Sequence, residues 1–236
     1  MNSDKMAARA FGIFFIITFL SYGIGSSLIA SIVSSPDSLT SVYENQSLIV
    51  FGATLMALVH TFVNVGLPII VLPILKRYSQ RLAYGYLSAA IAATVVLVVG
   101  ALFLLLLIPL SDEYVSAGSA ATPYFDTLGN LLIEGGFYAY HMGMALWALG
   151  GLMFVIVLYN SKLIPRLMSV WGIVGYIFLL SGSVLELFGH SDIVEIASVA
   201  PGGLFEVTLS IWLIVKGFSS PAIDSDSAST GFAAGQ

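Results

Sequence analysis

Long apolar runs separated by short polar segments organise this chain. Six can be drawn: roughly Ala10 to Val33, Leu48 to Leu75, Leu82 to Leu110, Leu128 to Leu158, Leu167 to Phe188 and Ile196 to Val215. Each approaches or exceeds the roughly 20 residues that a helix needs to cross a hydrocarbon core about 30 Å thick. The runs are apolar all round and do not alternate, which predicts spanning helices and excludes the strands of an outer-membrane barrel. The fold class expected is all-α, a polytopic transmembrane bundle over residues 1–218. Ser219 to Gln236 is rich in Ser, Ala, Gly and Asp without periodicity. It reads as a disordered cytoplasmic tail.

Charge orients the runs. All eight basic residues, Lys5, Arg9, Lys76, Arg77, Arg81, Lys162, Arg166 and Lys216, fall at alternate ends of the apolar stretches. Lys and Arg concentrate in cytoplasmic segments, so both termini and the turns at Lys76–Arg81 and Lys162–Arg166 are expected inside. The remaining connections carry only acids: Asp37 and Glu44; Asp112, Glu113 and Asp126; Asp192 and Glu195. The first run also fits a cleaved signal peptide, with Lys5 and Arg9 as its charged region. Its apolar stretch exceeds a usual signal core, however, and cleavage would leave five spans with the new terminus outside.

Composition narrows the function. With 58% hydrophobic and 9% charged residues, the chain has too little polar surface for a soluble globule, and the lipid bilayer is its expected surrounding. The absence of cysteine removes disulfides, thiolate metal sites and cysteine nucleophiles. The basic residues are few and scattered, so no nucleic-acid partner is expected. There is no phosphate-binding glycine loop, HExxH or G-x-S-x-G elbow. Ser181, Ser183 and Ser210 read as ordinary serines that satisfy helix carbonyls.

Small residues predict packing. Gly129, Gly136, Gly143 and Gly150 recur every seven residues, nearly two helical turns, and form one stripe on the fourth run. Gly175, Gly182 and Gly189 repeat it on the fifth. Such stripes let backbones approach in lipid, so these two runs are expected to pack along them. Pro68 removes the hydrogen bond to the Asn64 carbonyl and predicts a kink in the second run.

Ionisable residues inside a bilayer cost about 2.5–3.5 kcal/mol each and mark sites or pairings. His60 and Asn64 share a face at a spacing of four. Asn130, Glu134, Tyr138 and His141 make a second polar stripe. At about 1.5 Å per residue, Glu134 and Glu206 lie about 10 Å below the outer surface, with His60 and His141 deeper. The expected site is a funnel of His60, Asn64, Glu134, Tyr138, His141 and Glu206, carboxylates at the mouth and imidazoles at the floor. Glu186 is expected to reach the outer headgroups.

The pocket admits three readings. It could bind or pass a small solute or proton, although no inverted repeat is evident. It could belong to a non-catalytic subunit or regulator, with a membrane-protein partner or a second copy. No cofactor is predicted; a haem or metal ion held by His60 and His141 stays open as a minor alternative, since their spacing matches no known ligand motif.

Four segments carry a resemblance. Leu163-Ile164-Pro165-Arg166-Leu167-Met168-Ser169-Val170-Trp171-Gly172, Pro73-Ile74-Leu75-Lys76-Arg77, Ala8-Arg9-Ala10-Phe11-Gly12 and the run from Glu206 to Phe218 occur in an order and spacing that resembles the DUF4386 family of bacterial membrane proteins. The resemblance extends from about Lys5 to Phe218. It implies a multi-span protein of the bacterial cytoplasmic membrane, supplies no enzyme class, and favours Glu206 and His141 as pocket residues. Relatives often carry an Arg and a Glu early in the third span, where this chain has Ser88-Ala89-Ala90-Ile91-Ala92-Ala93. This chain lacks that charged pair.

Overall fold

The structure, a computed structural model, describes residues 3–117, 122–189 and 192–219, with side chains for all of these except 122 and 192–199. The expected tail therefore lies outside the described residues, apart from Ser219. Among the described residues all regular structure is helical: α1 (Ser3–Val33), α2 (Ser38–Glu44), α3 (Gln46–Thr54), a π-helical turn (Leu55–Val59), α4 (His60–Leu75), α5 (Gln80–Leu105), α6 (Leu107–Ala117), α7 (Thr122–Ser161), α8 (Arg166–Glu186) and α9 (Asp192–Val215). Five helical stretches are long and apolar enough to cross a membrane: α1, α3 through α4, α5 through α6, α7 from Pro123, and α8. A shorter apolar helix, Ala200–Val215, lies within α9.

Local chemistry sets the boundaries. Asp37 caps α2 by accepting from the Thr40 N–H (3.2 Å), and Ser79 caps α5 by accepting from the Leu82 N–H (3.3 Å). Pro109 has no N–H for the Leu105 carbonyl, and the helix breaks at Leu106 between α5 and α6. Helix α4, by contrast, runs unbroken through Pro68 and Pro73. A π turn stands just before His60, whose backbone N–H bonds the Leu55 carbonyl five residues back. Two of the acidic connections meet: α2 packs on α6, and Gln46 Nε2 donates to Asp112 Oδ1 (2.6 Å).

The long helices close into a ring in the order α1, α4, α5, α7, α8, α9 and back to α1. Outward faces carry large apolar side chains such as Leu58 (69% exposed) and Phe62 (72%), a surface suited to lipid. The basic segments gather at one end of the ring. There Arg77 donates to both oxygens of Asp4 (2.6 and 2.9 Å), a contact that raises the guanidinium pKa through hydrogen bonding and charge. Arg9 Nε donates to the Ile214 carbonyl (3.2 Å), and the Ser219 N–H to the Leu163 carbonyl (2.8 Å). Lys76 lies over the Tyr84 ring and Arg166 over Tyr159.

The glycine stripe of α7 packs closely, but chiefly against α5 and not α8. A Cβ at Gly143 would meet Leu97 at 2.8 Å, and one at Gly150 would meet Ala89 at 3.0 Å. Small residues on α5, Ala89, Ala93 and Gly100, meet the stripe from the other side. Helix α8 instead turns Gly175 toward Gly202 of α9 and touches α7 where the Tyr176 ring covers Gly151. A seven-residue repeat specifies a flat stripe, not the neighbour that fills it. Gly143→Leu is expected to destabilise the protein by about 1–3 kcal/mol through overpacking. Adding Leu97→Ala should recover part of the loss; denaturant titration in detergent measures both.

Candidate functional site

Inside the ring lies a cavity of about 560 Å³. Its walls come from α1, the π turn with α4, α5 and α7, and Glu206 of α9 contributes at its inner end. Helices α1 and α7 approach across the interior through ring pairs: Phe11 with Phe154 (5.2 Å), Phe15 with Trp147 (5.9 Å) and Tyr22 with Tyr140 (5.7 Å). The first pair, reinforced by Tyr86 stacked on Phe154 (4.9 Å), belongs to the solid core on the basic side. The second forms the floor, and the third crosses the cavity itself. Phe19 and Phe137 also line it while 39% and 41% exposed, so they form its rim.

Three polar side chains of the expected site line this cavity: His60, Asn64 and Glu206. The π turn and α4 present His60, whose Nδ1–H donates to the Thr18 carbonyl of α1 (3.3 Å). In the neutral ring Nε2 is then an acceptor; it is buried and has no hydrogen-bond partner among the described residues. Tyr22 meets the imidazole edge-on at 5.1 Å. One turn along α4, Asn64 Nδ2 donates to Thr94 Oγ1 of α5 (2.8 Å), and that hydroxyl donates to the Ala90 carbonyl (2.7 Å).

Glu206 is held from two helices. Its Oε1 accepts from Trp147 Nε1 of α7 (2.9 Å) and from the Tyr176 hydroxyl of α8 (2.8 Å). A buried carboxyl is tolerable when its oxygens are paired, and two side-chain donors on one oxygen fix its position. Because it lies level with Phe15 and Trp147, Glu206 is at the floor, with His60 nearer the mouth. This reverses the expected depth order. Helix α9 begins at Asp192 and not at Ile196, so Glu206 stands fourteen and not ten residues from its acidic end, deeper than expected.

The other three candidates lie elsewhere. Glu134 and Tyr138 are exposed on α7 and do not line the cavity. His141 is buried (3% exposed) against Phe137 (4.3 Å between rings) and Tyr140 (5.0 Å). The face of α7 that lines the cavity runs through Ile133, Gly136, Phe137, Tyr140, Met144 and Trp147, and the stripe of Glu134 and Tyr138 is turned away from it. Tyr22 packs on His60 and stacks on Tyr140, whose ring meets His141, while His141 itself does not line the cavity. Among the described residues no group of three or more His, Asp or Glu is clustered as metal ligands would be. Glu186 does not reach the surface: it is 4% exposed, within electrostatic range of His141, and its Oε1 has no partner among the described residues. Ser210 Oγ donates to the Glu206 carbonyl (2.7 Å), the helix-satisfying role expected of it.

Trp147, Tyr176, Tyr22, Tyr140 and Thr18 were not picked out from sequence. A signal existed for Trp147 and Tyr22: both fall well inside apolar runs, whereas Trp and Tyr favour membrane interfaces. Such a residue within a span needs a partner for its polar atom.

No curated protein and no solved structure matches the chain. The model of the family described as Domain of unknown function (DUF4386) matches residues 10–217, which include every wall of the cavity and Glu206. As the four sequence segments indicated, the chain belongs to the DUF4386 family.

Proposed function

We propose that this is a six-span protein of the bacterial cytoplasmic membrane, both termini in the cytoplasm, that binds a small, largely apolar molecule in the cavity between α1, α4, α5 and α7. The five membrane-length helices, the apolar part of α9 and the gathering of basic segments at one end support that threading. One observation carries the functional reading: a cavity of ligand size, walled by aromatic and aliphatic side chains, offers a few convergent polar groups, among them the unpartnered His60 Nε2. The packed rings of Phe11, Phe154 and Tyr86 close it on the basic side, which favours binding over permeation.

A filling substitution tests the reading. Gly23 lines the cavity at its exposed edge, and a Cβ there meets nothing within 4 Å, so Gly23→Phe has room for a ring that obstructs the cavity without disturbing the backbone. With protein reconstituted in lipid nanodiscs, a dodecyl diazirine photoprobe is expected to label residues around Met56 and Met144. Gly23→Phe should abolish that labelling. Equal labelling of the variant, or none of the wild type, would contradict the reading.

One observation favours a partner as well. Glu134 is exposed on a membrane-length helix beside Leu131 (66% exposed) and Tyr138 (46%). A carboxyl presented to lipid is costly, and a neighbouring helix would relieve it. Because the chain has no cysteine, Tyr138→Cys supplies a unique handle. Disulfide-linked dimers in the membrane support a second copy at this face; monomers only would count against it.

A further inference from the structure

The cavity is lopsided in its hydrogen-bonding capacity. Donors on its walls are largely committed to the protein itself: Thr18 Oγ1 to the Phe15 carbonyl (2.6 Å), Ser26 Oγ to the Gly23 carbonyl (3.2 Å), Asn64 Nδ2 to Thr94 (2.8 Å), Trp147 Nε1 to Glu206 (2.9 Å) and His60 Nδ1 to Thr18 (3.3 Å). The hydroxyls of Tyr22 and Tyr140 can donate or accept. What remains is acceptor in character: the buried His60 Nε2 and the carboxyl group of Glu206. Among the described residues no Lys or Arg lines the cavity, and Glu206 is its one acidic residue. Around these acceptors stand the rings of Phe15, Phe19, Tyr22, Tyr140 and Trp147. Aromatic faces attract a cation, most strongly where water is excluded.

A donor-bearing cation meets all three features. A carboxylate-headed or phosphate-headed ligand would place its charge against Glu206 with no basic residue to receive it. A quaternary ammonium would satisfy the rings but has no N–H for His60 Nε2. Deepening the cavity reading above and resting on it, we infer that the ligand is a primary-amine amphiphile: its ammonium head lies between Glu206 at the floor and His60 above it, and its apolar tail runs along the wall past Ile29 and Ile133. The rim at Phe19 and Phe137 is apolar and exposed, a portal for a molecule already dissolved in the bilayer.

Competition against the dodecyl diazirine distinguishes the head groups at constant tail length. Dodecylamine, dodecyltrimethylammonium, dodecanol and dodecanoate are added to nanodiscs at matched mole fractions of lipid. Dodecylamine is expected to halve the labelling at a mole fraction at least tenfold below each of the others. Glu206→Gln, which keeps an acceptor oxygen for Trp147 and Tyr176, should reduce that preference to threefold or less. If the variant does not fold, as judged by near-ultraviolet circular dichroism, the wild-type ranking decides alone. Equal competition by all four, or preference for the acid, the alcohol or the quaternary amine, overturns the amine assignment while leaving the cavity reading standing. Loss of wild-type labelling altogether overturns the cavity reading itself.

Discussion

Glu206→Leu is expected to destabilise the protein by at least about 2 kcal/mol, because it strands two buried donors at once. Trp147 Nε1 and the Tyr176 hydroxyl both bond Oε1 of this one carboxyl, from different helices. Each orphaned donor costs about 1–3 kcal/mol, offset in part because the buried carboxyl no longer has to be desolvated. Glu206→Gln presents a carbonyl oxygen to the same donors and should lose less than about 1 kcal/mol. Thermal unfolding in detergent separates the two. Because Trp147 lines the floor, its emission should shift in the leucine variant and stay in place in the glutamine one. Equal stability of both variants would mean that these bonds do not anchor α9.

The second large effect is expected where α8 meets α9. A Cβ on Gly175 would fall 2.9 Å from the Gly202 Cα and 3.1 Å from both the Gly202 nitrogen and the Pro201 carbonyl oxygen. Those are backbone atoms, which cannot rotate aside as a side chain can, so Gly175→Leu should separate the helices and cost at least the roughly 3 kcal/mol at the upper end of overpacking. The movement would carry Glu206 away from Tyr176, and with it the cavity floor. Gly203, one residue further on, has nothing within 4 Å of its would-be Cβ. Gly203→Ala should therefore be stabilising by up to about 1 kcal/mol, through helix propensity alone. Denaturant titration that ranked the two substitutions the other way would contradict the packing described here.

Much of the architecture was legible in the residues. Run length and the placement of the eight basic residues anticipated the helices and the end at which Asp4, Arg77, Leu163 and Ser219 meet. Two things were not. A glycine every seventh residue announces that a backbone will come close, but Gly143 and Gly175 have different neighbours because Ala93 on α5 and Gly202 on α9 are themselves small. Choosing between them requires the whole ring. For the cavity, His60, Asn64 and Glu206 were recognisable as polar residues out of place, whereas Glu134 and Tyr138 satisfied the same rule and face elsewhere. A few tens of degrees of helix rotation separate these outcomes, and one extra residue in a turn, as at Leu55–Val59, shifts phase by more than that. Nothing in the apolar sequence Leu55-Met56-Ala57-Leu58-Val59 marks such a turn.

The threading beneath all of this is open to one direct measurement. The chain has no cysteine, so single replacements report unambiguously. In intact cells a membrane-impermeant maleimide should modify Ser35→Cys and Asp126→Cys, and should reach Tyr78→Cys and Lys162→Cys only after lysis. Modification of positions 78 and 162 from opposite sides would break the ring of helices, and with it the cavity those helices enclose.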